Sequence, residues 1–347
     1  MGSTISKISG EKKAKDHSRA IKKQKKEKEV EGAQKPVKLL LVGAGESGKS
    51  TITKQVKIIH QDGYSDAERQ SYKPIVYANT VESMVKILTA MEAFDISFGD
   101  ADCEEHAVKL RAAYKQLDVV DLASDVGLSL QKLWNDTGVK ECYGRSREYP
   151  LNDSAAYFME AFERLCDVEY VPTEQDVLRT RVKTTDVIET AFKYKHLNFQ
   201  LIETAGSERQ KLAQCFKDVT AIIFCVDLCA YDQGTKDNST FVNPMLESLK
   251  MFHLICSMPL LVETSAILVL NKTDLFKDKI SRYPLTNCFP EYQGESNFEE
   301  TLNYIRQQFE NQNNGSKEIY THFTCATDTS NIRFVFEAVL NELMSKN

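Results

Sequence analysis

Gly43-Ala44-Gly45-Glu46-Ser47-Gly48-Lys49-Ser50-Thr51 follows directly on the apolar run 39–42. A buried strand that runs into G-x-x-x-x-G-K-S and then into a helical sequence is a phosphate-binding loop. Its glycines leave room for consecutive backbone N–H groups to turn onto a phosphate. The helix opening near Lys49 adds the positive end of its dipole. In such a loop Lys49 reaches the β- and γ-phosphates and Ser50 offers its hydroxyl to Mg²⁺. The stretch predicts a nucleoside triphosphate as ligand.

Two further loops choose the base. Directly after the strand-like run 267–270 stands Asn271-Lys272-Thr273-Asp274. A carboxylate at Asp274 can accept hydrogen bonds from N1–H and the exocyclic amine of guanine. Adenine offers no such donors there, and leaving the acceptors unpaired is costly. Asn271 can tie this loop to the phosphate loop, and the Lys272 stem can lie over the base. Thr324-Cys325-Ala326-Thr327 follows the next strand, where the Ala326 N–H can meet guanine O6. In isolation N-K-x-D is only a polar turn. After its own strand and downstream of a phosphate loop, it selects GTP over ATP.

The bulk numbers agree. At 347 residues there is room for two domains, and 42% hydrophobic with 27% charged residues describes a globular chain with a sizeable core. A net charge of −6 argues against nucleic acid as the main partner. Nine cysteines without a C-x-x-C pair suggest neither a disulfide framework nor a zinc site, hence a reducing compartment. Cys225 and Cys229 are expected as buried free thiols. No run of about eighteen apolar residues is present to span a membrane, and no secretory leader precedes the first charged residues.

Residues 1–34 are dense in Lys and Glu with a basic balance, and predict an exposed helix or disordered arm that cannot build a core. Met1-Gly2-Ser3-Thr4-Ile5-Ser6 fits the N-myristoylation pattern. The basic arm behind it supplies the second signal that a single acyl chain needs to hold a membrane. Past the phosphate loop, residues 51–60 predict its helix. Val81, Met84, Val85, Leu88 and Met91 then repeat at helical spacing. Helical patterning continues through Leu110, Leu117, Leu130, Leu133 and Trp134 to about Val168, without a strand between Gly63 and Glu169. Strand character returns at Leu197, Phe199 and Leu201, and again at 221–226, 267–270 and 319–323. The closing helix carries Ile332, Val335, Phe336, Val339 and Leu343. The expected fold is α/β, a parallel-rich sheet with helices on both faces. It is assembled from residues 35–62 and 180–347, with 63–179 as an inserted all-helical domain.

On these motifs the chain resembles the α subunits of heterotrimeric G proteins over nearly its whole length. The resemblance is carried by residues 43–51, 176–185 (DVLRTRVKTT), 215–224 (CFKDVTAIIF), 271–276 and 324–327, with 151–158 (LNDSAAYF) and 170–173 (YVPT). The helical insertion between the phosphate loop and DVLRTRVKTT belongs to it too. It implies a Ras-like P-loop GTPase domain plus the inserted helical domain, acting as a switch that binds GTP or GDP with Mg²⁺ and hydrolyses GTP. Arg181 would be the arginine supplied in cis to the γ-phosphate, with Lys49, Gly206 and Ser207 as the other implied catalytic positions. Nucleotide contacts are implied at Gly45, Glu46, Ser47, Gly48, Lys49, Ser50 and Thr51. They are implied also at Asp153, Ser154, Leu178, Arg179, Thr180 and Arg181, and at Asn271, Lys272, Asp274, Cys325, Ala326 and Thr327. The metal would lie at Ser50, Thr184 and Glu203. Glu46 would contact an arginine of the first switch, and Asp153 would reach across the cleft towards Lys272. Implied partners are a βγ dimer, a downstream effector, a membrane surface, a seven-helix receptor and a GTPase-activating regulator. The implied location is the cytoplasmic face of the plasma membrane, through Gly2 and the basic arm.

The second switch departs from the pattern. Where the family has D-V-G-G-Q-R-S-E-R-K-K-W, this chain reads Glu203-Thr204-Ala205-Gly206-Ser207-Glu208-Arg209-Gln210-Lys211-Leu212. Gly206 can still offer its N–H to the γ-phosphate and Glu203 can stand in for the aspartate. Without a gap, Ser207 takes the place of the glutamine that orients the attacking water, and serine is too short for that; otherwise two residues are deleted. The expectation is slow intrinsic hydrolysis on Arg181, unless Gln210 or a partner supplies the group. The alternative is a GTP-controlled binding module with negligible turnover. A nucleotide kinase with a helical lid is disfavoured by N-K-x-D and DVLRTRVKTT. Asp186 replaces the glycine after T-T, Leu212 replaces the second-switch tryptophan, and no cysteine stands near Gly2. The sequence stops at Asn347, several residues short of the family's receptor-binding tail, so receptor coupling is expected to weaken more than βγ binding.

Overall fold

The computed structural model describes residues 35–115, 121–122, 124–204, 216, 218–237, 240–261, 264–313 and 317–346. Its frame is a six-stranded sheet in the order β2-β3-β1-β4-β7-β8. The strands are β1 (Val37–Gly43), β2 (Ile188–Tyr194), β3 (Leu197–Glu203), β4 (Ala221–Asp227), β7 (Ser265–Asn271) and β8 (Ile319–Thr324). Two short strands, β5 (Thr235–Asp237) and β6 (Thr240–Val242), pair separately as a hairpin. Every neighbour in the large sheet is parallel except β2 and β3.

Alternation along the inner strands divides the core in two. Leu40 and Val42 of β1, Ile222, Phe224 and Val226 of β4, and Leu268 and Leu270 of β7 face one cluster. That cluster packs against α10 (Pro244–Cys256), α11 (Thr273–Ile280) and α12 (Phe298–Glu310). The intervening Leu39, Leu41, Ile223, Cys225, Ile267 and Val269 face the other. There they meet α1 (Lys49–His60) and α13 (Thr329–Lys346). Strands buried on both faces must be apolar at consecutive positions, which is why 39–42 and 221–226 read as continuous runs. Each fully buried large side chain contributes about 1.5–3 kcal/mol of transfer free energy.

Strand β2 is not signalled by the periodicity. It pairs antiparallel at the sheet edge, and only Phe192 on it is buried. An edge strand with one core residue carries too weak an alternation to stand out from loop. Its register is set by the turn into β3, where Lys195 adopts a left-handed φ of 53°.

Between α1 and β2, the described residues hold helices and no strand. These are α2 (Asp66–Ser71), α3 (Lys73–Ala93), α4 (Cys103–Tyr114), α5 (Asp125–Asn135), α6 (Thr137–Gly144), α7 (Ala155–Glu160), α8 (Phe162–Leu165) and α9 (Glu174–Arg179). They own a third hydrophobic cluster, centred on Met84, Ile87, Leu110, Leu133 and Phe158. Their starts follow side-chain chemistry. Ser65 with Glu68 and Thr173 with Asp176 form capping boxes, and Asp136 accepts from the N–H groups of Gly138 and Val139.

No helix among the described residues is long and apolar enough to cross a membrane. The expectations for residues 1–34, including Gly2, for Leu117 and for 205–215, including Gly206, Ser207 and Gln210, lie outside the described residues.

Candidate nucleotide site

The parallel strands end together. Gly43, Glu203, Asp227, Asn271 and Thr324 close β1, β3, β4, β7 and β8 at the same edge of the sheet, where open α/β sheets bind ligands.

The phosphate loop needs its glycines at two points. Gly43 has φ 146°, and a Cβ there would lie 2.2 Å from the Cys225 carbonyl oxygen. Gly48 has φ 102°, and its Cβ would lie 2.1 Å from Asn271 Nδ2. Glu46 also takes a left-handed φ of 65°. Lys49 Nζ folds back to donate to the carbonyls of Gly43 (3.0 Å) and Ala44 (2.6 Å). Burial holds its pKa below the usual lysine range. An ammonium aimed into the loop it spans is placed for an anion seated there.

The base loops are bound to this one. Asn271 Nδ2 donates to the Ser47 carbonyl at 2.9 Å, and its Oδ1 accepts from Thr324 Oγ1 (3.0 Å) and the Ala326 N–H (2.9 Å). The Ala326 amide therefore already has a partner, and a contact to guanine O6 would share that hydrogen. Lys272 has φ 68° and stands just ahead of α11, so exposed Asp274 falls in the helix's first turn. Cys325 Sγ lies 3.3 Å from Thr327 Oγ1.

A second corner gathers oxygen. Ser50 Oγ lies 3.0 Å from Thr184 Oγ1 and donates to Glu203 Oε1. Thr184 Oγ1 reaches the same carboxylate oxygen at 3.4 Å, and Thr53 Oγ1 donates to Oε2 at 2.8 Å. No group of three or more His, Cys, Asp or Glu that could hold a metal occurs among the described residues. Two hydroxyls and one carboxylate are hard oxygen donors of the kind that would suit Mg²⁺.

Between these corners runs the segment after α9. Lys54 on α1 donates to the carbonyls of Val177 and Thr180, both at 2.8 Å, and to Thr180 Oγ1 at 2.9 Å. Burial lowers its pKa to about 8. Thr51 Oγ1 reaches the Leu178 carbonyl at 3.5 Å. Arg181 follows, its Nη2 paired with Glu46 of the phosphate loop. The Arg181 N–H donates to Asn79 Oδ1 at 2.6 Å, and Asn79 Nδ2 donates back to the Arg181 carbonyl at 3.1 Å. Arg179 lies 4.5 Å over the Tyr157 ring, and its buried Nε has no hydrogen-bond partner among the described residues. A donor left over in this way fits a site built for a polyanion.

Across the cleft, Ser154 starts α7 and is buried. Beside it Asp153 accepts from Lys272 Nζ at 2.5 Å, and Asp227 accepts from the same ammonium at 2.6 Å. Burial opposes the lysine's charge, but the Asp227 and Asp153 carboxylates hold its pKa well above the ordinary value. Gln175 adds a second bridge, donating to the Thr327 carbonyl at 3.0 Å.

The family model for the G-protein alpha subunit matches residues 14–343. The chain is a G-protein alpha subunit. It is 50% identical over 351 residues to the guanine nucleotide-binding protein G(o) subunit alpha of Lymnaea stagnalis, with 100% of this chain and 98% of that protein covered. The proteins of the same description from Caenorhabditis elegans and Planorbella trivolvis match equally, at 50% over the same span.

As an alpha subunit of heterotrimeric G proteins the chain is a GTPase and a guanine nucleotide-binding signal transducer, with a Ras-like domain and a helical domain. Several residues of the site escaped the reading of its sequence, among them Thr53 on Glu203 and Gln175 on Thr327. Asn79 and Lys54 bear on the Arg181 segment, and Asp227 bears on Lys272. Only Asp227 left a trace, a charge at the carboxyl end of an otherwise apolar strand beside a phosphate loop.

Proposed function

We propose that this alpha subunit hydrolyses GTP slowly, with Arg181 stabilising the transferring phosphoryl group in cis. The observation that carries this reading is the Glu46–Arg181 pair, which ties the guanidinium to a residue of the phosphate loop. From there Arg181 has to exchange one carboxylate for phosphate oxygens, a swap between like acceptors. Lys49 and the loop N–H groups hold the phosphates, Asn271 and Asp274 select guanine, and Lys272 with Asp153 closes the cleft. Ser50, Thr184 and Glu203 would hold Mg²⁺, whose charge, when bound, offsets that of the β- and γ-phosphates. Thr184 lies within the segment that would be released once the γ-phosphate has gone. Gly206 can donate its N–H to that phosphate, but Ser207 cannot align water as a glutamine does, which makes turnover slow.

The wider role follows from family membership. Residues 1–34 would contact a βγ dimer and, with myristate on Gly2, the cytoplasmic face of the plasma membrane. Residues 35–62 and 180–347 would form the Ras-like domain and 63–179 the helical one. An effector, a seven-helix receptor and a GTPase-activating regulator complete the proposed partners.

Single-turnover hydrolysis of preloaded GTP, started with Mg²⁺, tests the reading beside Arg181→Ala. Arginines of this kind are already known in GTPases to contribute about 10³-fold or more, and a collapse of that size is expected. Equal rates in both proteins would remove Arg181 from the mechanism. The substitution at Ser207 also favours a second reading, a GTP-controlled binding module. Tight GTP binding without hydrolysis in either protein would establish it.

A further inference from the structure

Asp227 has no part in the phosphate, metal or base contacts above, yet it is a buried carboxylate at the carboxyl end of β4. It ends β4 directly opposite Asn271 of β7 in the sheet register. One of its oxygens accepts the Cys229 N–H at 2.8 Å and so caps the 3₁₀ turn Leu228–Asp232. The other accepts from Lys272 Nζ at 2.6 Å. The two carboxylates on Lys272 thus differ in mounting. Asp227 stands on the same sheet edge as the base motif, whereas Asp153 stands among the helices of the insertion, between α6 and α7.

We propose that Asp227 is a positioning residue for nucleotide retention, holding the Lys272 ammonium in the one orientation that Asp153 can meet across the cleft. The proposal rests on guanine nucleotide occupying this cleft. A lysine head on a four-carbon stem loses considerable rotamer freedom when it is held in one place. With Asp227 attached to it beforehand, that ordering is complete before the helical segment closes. Lys272 is further constrained at its backbone, which takes a left-handed φ of 68° just ahead of α11. Asp227 also cancels part of the ammonium's charge, so the cation is not left uncompensated when Asp153 moves away.

The test is release of a fluorescent GDP from the full-length protein, compared with Asp227→Asn, Lys272→Met and the double variant. Asparagine keeps the acceptor for the Cys229 N–H, so the turn cap survives while the ion pair is lost. Asp227→Asn is expected to speed release about tenfold, the lower end of the worth of one charge-assisted hydrogen bond. In the Lys272→Met background the same change is expected to leave release unaltered. The shift in melting temperature should reverse in sign. Asp227→Asn lowers the transition in the native background and raises it in the Lys272→Met background, where it removes a buried carboxylate without a counter-ion. Release that is unchanged or slower in Asp227→Asn overturns the proposal. So does equal acceleration in both backgrounds, which would reduce Asp227 to a turn cap. Failure of the unsubstituted protein to bind the fluorescent GDP would instead overturn the nucleotide reading on which the proposal stands.

Discussion

Asn79 on α3 holds the peptide of Arg181 from both sides, accepting its N–H at 2.6 Å and donating to its carbonyl at 3.1 Å. Both bonds are made by one side chain, so the backbone of the arginine is fixed to the helical segment even though its guanidinium is paired with Glu46 of the phosphate loop. Asn79→Ala frees that peptide. Misplacing a catalytic group by about an ångström can cost on the order of 10²-fold, and a fall of about ten- to a hundredfold in single-turnover GTP hydrolysis is expected. GTP affinity should change much less, because no base or loop contact is touched. Unchanged hydrolysis would show that Arg181 finds its place without this bracket.

Asp176 predicts an acid transition. Its fully buried carboxylate accepts from Arg164 at 2.6 and 2.9 Å, from the hydroxyls of Tyr157 and Tyr170, and from the Thr173 N–H at 2.7 Å. Burial pushes its pKa up, but Arg164, the Thr173 N–H and the Tyr157 hydroxyl bring it below the usual aspartate range. The folded protein therefore takes up this proton less readily than the unfolded chain. The stabilisation is complete above the ordinary aspartate pKa of about 4 and is lost as pH falls through the lower folded value. Asp176→Asn should cost about 2 kcal/mol at neutral pH, less than a fully enclosed pair because Arg164 keeps one side in solvent. Urea unfolding at pH 7 and at pH 3 checks this, with the difference between the proteins shrinking at the lower pH.

Gly48 is a loop position with little tolerance. An added Cβ meets Asn271 Nδ2 at 2.1 Å on a backbone at φ 102°. Gly48→Ala has to displace the side chain that ties Ser47, Thr324 and Ala326 together, and to strain the loop by about 1–3 kcal/mol as well. Loss of GDP binding by at least about a hundredfold is expected in an equilibrium titration, with the sheet core intact by circular dichroism. At Gly45, by contrast, a Cβ meets no protein atom within 4 Å.

Glu203 collects Ser50, Thr53 and Thr184 at one carboxylate. Glu203→Gln keeps the shape and removes the charge, so the Mg²⁺ concentration that half-suppresses GDP release should rise about tenfold. A magnesium titration of the release rate reads this directly. An unmoved midpoint would take Glu203 out of the metal shell.

Much of this protein could be read locally. The loop at 43–51 announces itself because phosphate binding needs glycines and a lysine at set spacing on consecutive residues. The inner strands announce themselves because two-sided burial demands unbroken apolar runs. Strand β2 could not be read so, since its place at the edge comes from pairing with β3 rather than from its own pattern. Nothing in their local sequence marks Asn79, one polar residue within α3, or Lys54, one of the lysines of α1. Each acts on a segment more than a hundred positions away in the chain.

From the sequence alone came the nucleotide class, the parallel sheet and the helical insertion, because glycine conformations, side-chain periods and motif spacing are properties of short stretches. That Asp227 shares Lys272 with Asp153, that Arg181 is the arginine paired with Glu46, and which side chain brackets its peptide were decided only in the folded chain. Hydrogen bonds and ion pairs act over about 3 Å, and only the packing of helices against the sheet brings such distant residues that close.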